Sequence, residues 1–148
     1  MTVCIQGKIC LFGDIADGAM QMNDAGRMAE KWWIELNHKF DNVETDEYVV
    51  MPNHFHGIIM LTIANPIQGA HTGAPLQEIM QWFKTMTTNE YIRGVKQKGW
   101  PPFPGKLWQR SYYDHIIRNE NELNLAREYI MYNPIRWPKD KYNVESLH

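Results

Sequence analysis

Two histidines separated by one bulky apolar residue, His54-Phe55-His56, lie in the β-rich run from Tyr48 to Leu61. Side chains alternate faces along a strand, so both imidazoles project the same way, about 7 Å apart along the chain. Neutral imidazole is the commonest protein metal ligand, and a rigid strand presents two such nitrogens without the cost of ordering a loop. The spacing fits a two-nitrogen metal edge and equally a pair of hydrogen-bonded structural histidines. A carboxylate two positions on, as in metallo-β-lactamase-like hydrolases, would fall at Ile58, and a cupin-like glutamate is absent from 58–62. Any third ligand must come from elsewhere.

A second chemical pair stands near the other end of the chain. Asn119, with Glu122 three residues on, starts a helix as a capping box would, and Pro134 disfavours helical geometry at Asn133, so the helix is expected over 120–132. Leu123, Ala126 and Ile130 form its apolar stripe, while Leu125, Tyr129 and Asn133 follow an i, i+4, i+8 line that need not coincide with it. A phenol is a possible covalent nucleophile, and an amide oxygen one turn away a possible hard ligand. An aromatic core residue followed by a C-terminal Asn cap is the plainer alternative.

The elements positioning these groups belong to a chain of 148 residues with 44% apolar and 22% charged residues, which fits one domain over 1–148 with a core of its own. No run approaches the roughly 20 apolar residues of a membrane span and no secretory leader is apparent, so a cytoplasmic location is expected. Cys4 and Cys10 lack disulfide-framework or zinc spacing and read as reduced, packed thiols. The net charge of −2 is unevenly spread: residues 1–83 sum to −6 and residues 84–118 to +5. That basic stretch interleaves Lys84, Lys106 and Arg110 with Tyr91, Trp100, Phe103, Trp108, Tyr112 and Tyr113. Such a mixture suits single-stranded nucleic acid, whose phosphates need charge and whose unstacked bases need flat partners. A solvated basic face over buried aromatics is the alternative.

Residues 3–12 read as one or two short strands before a turn at Gly13-Asp14. Asn23 or Asp24 caps a helix with Met28, Ala29, Trp32 and Leu36 on its core face. Residues 43–51 and 54–62 form an antiparallel hairpin about Pro52-Asn53, with Phe55, Ile59 and Leu61 opposite the histidines. A loop over 63–75 contains His71, read as solvated. A second helix carries Leu76, Ile79, Met80, Phe83 and Met86 inward, with Lys84 off that stripe. Prolines break structure over 99–105, and 106–113 returns as an edge strand. The fold class is α+β: a central antiparallel sheet, helices mainly on one face, and the Tyr129 helix across the histidines.

Taken together, Cys10-Leu11-Phe12-Gly13, Tyr48-Val-Val-Met-Pro-Asn-His54-Phe55-His56-Gly57, Trp82-Phe83-Lys84-Thr85, Leu107-Trp108-Gln109-Arg110-Ser111-Tyr112-Tyr113-Asp114-His115 and Tyr129-Ile130-Met131-Tyr132-Asn133-Pro134 resemble the HUH single-tyrosine transposases. The similarity is to their REP-associated branch, of the IS200/IS605-like group, with a ferredoxin- or RRM-like core. The Met-Pro-Asn-His-x-His-Gly segment with the later Tyr-Ile-x-x-Asn-Pro is specific as a combination and not as separate pieces.

The resemblance implies that His54, His56 and Asn133 ligate Mg²⁺ or Mn²⁺, and that Tyr129 attacks a phosphodiester of single-stranded, hairpin-forming DNA. The product would be a 5′-phosphotyrosine link and a free 3′-hydroxyl. A tyrosine with a pKa near ~10 is a poor nucleophile at neutral pH until the charge developing on it and on the phosphate is stabilised, which is what such a cation supplies. Lys84, Arg110 and Trp108 are candidate DNA contacts, and His115 reads as a hydrogen-bonded core histidine. Relatives are monomers or homodimers that exchange the tyrosine helix. Family members carry a further N-terminal segment tied to recognition of the hairpin's guide sequence, whereas this chain opens at Met1-Thr2-Val3-Cys4, so weakened DNA selection with the catalytic residues kept is expected. A nucleic-acid-binding module of the same fold without turnover is the runner-up, and a His-x-His metal hydrolase is disfavoured by the lack of a neighbouring carboxylate.

Overall fold

Alternating side chains and a two-residue connection make residues 43–61 a hairpin. A computed structural model, which describes residues 1–62 and 73–143, shows it as β4 (Val43–Met51) and β5 (His54–Leu61), joined at Pro52-Asn53 with Met51 opposite His54. A short strand, β1 (Thr2–Cys4), pairs antiparallel with the other edge of β5, setting Thr2 opposite His56 and Cys4 opposite His54. The sheet order is therefore β1-β5-β4. The histidine strand is central, with its backbone paired on both sides, so its side-chain directions are fixed by two ladders rather than one. Cys4 is buried as expected, but Cys10 is exposed.

Phe55 projects to the face opposite the histidines, where α1 (Asp24–Lys39) and α2 (Leu76–Lys98) cover it. Its ring lies 4.7 Å from Trp33 and 5.6 Å from Phe83, centroid to centroid. The α1 cap is Asn23, whose side chain accepts from Gly26 N–H at 2.9 Å. Trp33, not Trp32, is the inward indole: it follows Ala29 by four and precedes Leu36 by three, while Trp32 is rotated a further 100° and packs edge-on against Trp82 at 5.6 Å. On α2, Ile79, Met80, Phe83, Thr87 and Tyr91 are buried, whereas Leu76 and Met86 are only half-buried.

The histidine strand needs a glycine at position 57. A Cβ there would sit 2.3 Å from Trp33 Cζ2 and 2.6 Å from Cη2, and the Trp33 ring is wholly buried with nowhere to move. Gly57→Ala is expected to destabilise the fold by about 1–3 kcal/mol, the usual cost of overpacking a close-packed core, read as a lower urea midpoint at unchanged slope.

Residues 13–22 depart from expectation. Instead of turning at Gly13-Asp14, the chain forms a separate hairpin of β2 (Gly13–Ala16) and β3 (Ala19–Met22). Its turn is Asp17-Gly18, both at positive φ (53° and 75°), the two-residue connection that Asp-Gly favours. The edge strand expected over 106–113 is reduced to isolated bridges, Ile5 with Trp108 and Thr2 with Tyr113. Between them this segment has two residues more than β1, so it bulges and leaves carbonyls without a ladder partner. Lys84 supplies one: its ammonium donates to the Gln109 carbonyl at 2.9 Å and the Arg110 carbonyl at 3.1 Å.

The third helix, α3 (Glu120–Met131), lies on the histidine face. Asn119 Oδ1 accepts from Glu122 N–H at 2.8 Å, and Glu122 reaches back to Arg118 N–H at 2.9 Å, one residue earlier than a strict capping box. Arg127 pins the helix to β4 through a two-pronged contact with Asp46, at 2.8 and 2.7 Å. This holds the Asp46 carboxyl below the usual carboxylate range. The architecture is the expected α+β arrangement, two helices on one face and one across the histidines. The loop residues 63–72, His71 among them, lie outside the described residues. No helix among the described residues is long and apolar enough to cross a membrane.

Candidate metal and nucleophile site

On the middle strand the two imidazoles converge: His54 Nε2 and His56 Nε2 are 3.1 Å apart, and both side chains are buried. Their tautomers follow from their neighbours. Asn53 donates its Nδ2 to the carbonyls of Tyr142 (2.7 Å) and Lys8 (3.1 Å), which fixes its Oδ1 as the atom 2.8 Å from His54 Nδ1. His54 therefore donates from Nδ1, and its Nε2 carries a lone pair. His56 Nδ1 is 2.7 Å from the Thr2 hydroxyl, which donates or accepts as required. Without a cation His56 donates Nε2–H to His54; with one, both Nε2 lone pairs are free to ligate. Two cis ligands about 2.1 Å from one hard ion stand about 3.0 Å apart, so the imidazole pair is already spaced for it.

Burial drives both imidazoles well below their ordinary pKa. For His54 the adjoining His56 and then Lys141 add to the effect, and for His56 the N-terminal ammonium and then Lys141. The neutral, ligating form is the resting form.

Tyr129 projects from α3 over this pair, its ring edge-on to His56 with centroids 5.4 Å apart. It is 45% exposed, so a large substrate has access to the phenol. Asn133, one turn on, is buried; its Nδ2 donates to the Tyr129 carbonyl at 3.0 Å, while its Oδ1 has no hydrogen-bond partner. An unpartnered buried amide oxygen costs about 1–3 kcal/mol and matches a hard-cation ligand. The plainer reading holds in half: Tyr129 is not a core aromatic, whereas Asn133 does cap the end of the helix through Nδ2 and leaves its Oδ1 over.

The C-terminal segment completes the enclosure. Trp137 stacks on His54 at 6.0 Å and 28°, and the buried Tyr142 ring lies 4.4 Å from His54 and 6.2 Å from His56. Asp140 places Oδ2 3.9 Å from His54 Nε2. Among the described residues no group of three or more His, Cys, Asp or Glu side chains stands close enough together to hold a metal ion by itself. The donor set is two nitrogens with an amide and a carboxylate at their margin. Asp140 and Tyr142 were not found from sequence, since nothing local ties them to residues some 85 positions earlier.

The candidate DNA contacts divide. Trp108 is 4% exposed, its N–H donates to Thr87 Oγ1 at 2.8 Å, and its ring packs on Phe12 and Phe83, so it is a core residue with no face for a base. Lys84 is committed to the two carbonyls above, and burial then Lys106 lower its pKa. Arg110 is exposed. Tyr91 is buried, and Trp100 and Phe103 pack on it at 5.2 and 5.5 Å. The aromatics of the basic stretch thus mostly line the core, leaving Tyr113, 63% exposed, as the large open ring among them. His115, read as a core histidine, is exposed instead.

Comparison with known proteins adds two likenesses. No family model matches the chain. An uncharacterized protein of Haemophilus influenzae (strain ATCC 51907 / DSM 11121 / KW20 / Rd) is 36% identical over a 154-residue alignment covering 98% of this chain and 84% of that one. Among solved structures, that of a REP-associated tyrosine transposase bound to a REP hairpin superimposes with a TM-score of 0.61 over 91% of this chain, at 18% identity. The chain spans 64% of the length of that transposase chain. At this identity the likeness establishes a common fold.

Proposed function

From a chain that belongs to one family with the Haemophilus influenzae protein, and that has the fold of a REP-associated tyrosine transposase, we propose a metal-dependent endonuclease and strand transferase acting on single-stranded, hairpin-forming DNA. The observation carrying this reading is the Tyr129 ring set against two converging imidazoles, with the unpartnered Asn133 oxygen one helical turn away. The solved transposase holds a REP hairpin, which supports the substrate class.

His54, His56 and Asn133 would hold Mg²⁺ or Mn²⁺, which when bound offsets charge on the scissile phosphate. The Tyr129 oxygen attacks phosphorus: an Oη–P bond forms, the P–O3′ bond breaks, and the phenol proton is lost as the departing 3′-oxygen gains one. The 5′-phosphotyrosine link retains the energy of the phosphodiester, so a 3′-hydroxyl reverses the step without ATP. Asn53 keeps His54 in its ligating tautomer throughout, and the Thr2 hydroxyl reorients to accept from His56 Nδ1.

The test is a labelled hairpin oligonucleotide incubated with the protein, with and without Mn²⁺. A denaturant-resistant covalent adduct that needs the metal is expected. The close cover over His54 and His56, 0% and 3% exposed, favours a second reading, a nucleic-acid-binding module without turnover. That module would retard the oligonucleotide without cutting it, and a simple hydrolase would cut it without an adduct.

A further inference from the structure

The carboxylate of Asp140 is the most buried acid at the histidine pair, its side chain only 8% exposed. The turn Trp137–Lys139 and its continuation hold it there: Asp140 N–H donates to the Trp137 carbonyl at 3.0 Å, and Asn143 Nδ2 bonds that same carbonyl at 3.0 Å. Tyr142 N–H donates to Asp140 Oδ1 at 2.8 Å, which turns Oδ2 toward His54 Nε2, 3.9 Å away. That nitrogen carries no proton, because His54 donates from Nδ1 to Asn53. A buried carboxylate oxygen thus stands beside the Nε2–Nε2 contact of the histidine pair, and Asn133, whose Oδ1 is unpartnered, lines the same cleft as Asp140. Without a cation His56 Nε2–H meets the His54 lone pair and Lys141 acts on the carboxylate; once both Nε2 lone pairs are freed to ligate, the electron-rich atoms so gathered need a cation between them.

We infer that Asp140 is a direct ligand of the divalent ion, supplying an anionic donor to the site. Two ligands of a common hard ion stand between about 3.0 Å (cis) and about 4.2 Å (trans) apart, a span that includes both the 3.1 Å imidazole separation and the 3.9 Å from His54 to Asp140. A carboxylate confers far more affinity for Mg²⁺ or Mn²⁺ than two neutral imidazoles and an amide do, since hard cations are held chiefly by anionic oxygen. The same contact would tie ion binding to the C-terminal segment that already encloses the histidines.

This assignment rests on the metal reading of the histidine pair, and the experiment keeps the two apart. Mn²⁺ binding to the full chain is followed by calorimetry and by loss of the free-ion paramagnetic resonance signal, for wild type, Asp140→Asn, Asp140→Cys and His56→Ala, each first shown folded by its melting transition in chelator. Wild type is expected to bind Mn²⁺ and His56→Ala to lose it. Asp140→Asn is expected to raise the Kd by about tenfold or more. Asp140→Cys should weaken Mn²⁺ similarly while gaining Cd²⁺ affinity over wild type, a change of ligand softness that a purely electrostatic role would not produce. Loss of binding in His56→Ala with Mn²⁺ affinity within twofold of wild type in both Asp140 variants would overturn this assignment alone. Absence of binding in wild type overturns it together with the metal reading.

Discussion

Tyr129→Phe is expected to abolish the covalent protein–DNA adduct and to lower metal-dependent cleavage of a hairpin oligonucleotide by at least about 10³-fold, since it removes the atom that attacks phosphorus. Stability should change by under about 0.5 kcal/mol, because the residue is 45% exposed, its oxygen is not part of the core, and the ring packing on His56 is kept. The informative control is Tyr142→Phe. Tyr142 is nearer to His54 than Tyr129 is to either histidine, but it is buried, and burial pushes its phenol far above the ordinary tyrosine value, with Cys4 adding to the effect. A phenol so hard to ionise and so enclosed is a poor nucleophile, so this variant should still form the adduct. Peptide mapping should place the nucleotide on α3, and an adduct persisting in Tyr129→Phe would refute the assignment.

Acidification should destabilise the metal-free fold through the same two imidazoles. Burial keeps His54 and His56 neutral in the folded chain well below pH 6.5, whereas in the unfolded chain each takes up a proton as the pH falls through that value. The unfolded state then binds more protons, so stability falls with falling pH from about 6.5 downward and is fully present above it. Each group contributes about 1.4 kcal/mol per pH unit in this window, hence about 2 kcal/mol per histidine and about 4 kcal/mol for the pair at pH 5. Urea unfolding in chelator at pH 7 and pH 5 reads this loss, and His54→Gln/His56→Gln should lack it. Equal losses in wild type and the double variant would show that other groups carry the acid sensitivity. With Mn²⁺ present the wild-type curve should shift upward at unchanged slope in this window, because both imidazoles are neutral in the folded chain with or without the ion.

What the sequence discloses here is what local periodicity governs. The convergence of His54 and His56 follows from strand alternation, the hairpin from Pro52-Asn53, and the start of α3 from the Asn119 side chain, each settled within a few residues. The Asp17-Gly18 hairpin was equally local, and its turn dipeptide was the available signal. Trp33 displaces Trp32 because a single position turns a helix by 100°, which adjacent tryptophans make hard to phase. Trp108 and Lys84 were drawn to nucleic acid by their basic, aromatic neighbourhood, but composition does not say which way a ring or an ammonium points. Asp140 and Tyr142 reach the site through a chain reversal that no short-range pattern announces.

One amide joins three distant stretches of this chain, since Asn53 bonds the carbonyls of Lys8 and Tyr142 as well as the His54 ring. Mutational drift is therefore filtered very differently at the three places. Positions 8 and 142 are read by Asn53 through their main-chain oxygens, so that contact leaves their side chains free to vary. Position 53 needs two N–H donors and one acceptor on a stem of fixed reach: aspartate has no N–H to give, and glutamine is a methylene too long. Its tolerance should be as narrow as that of Gly57 on the same hairpin, although its side chain neither binds substrate nor ligates the ion.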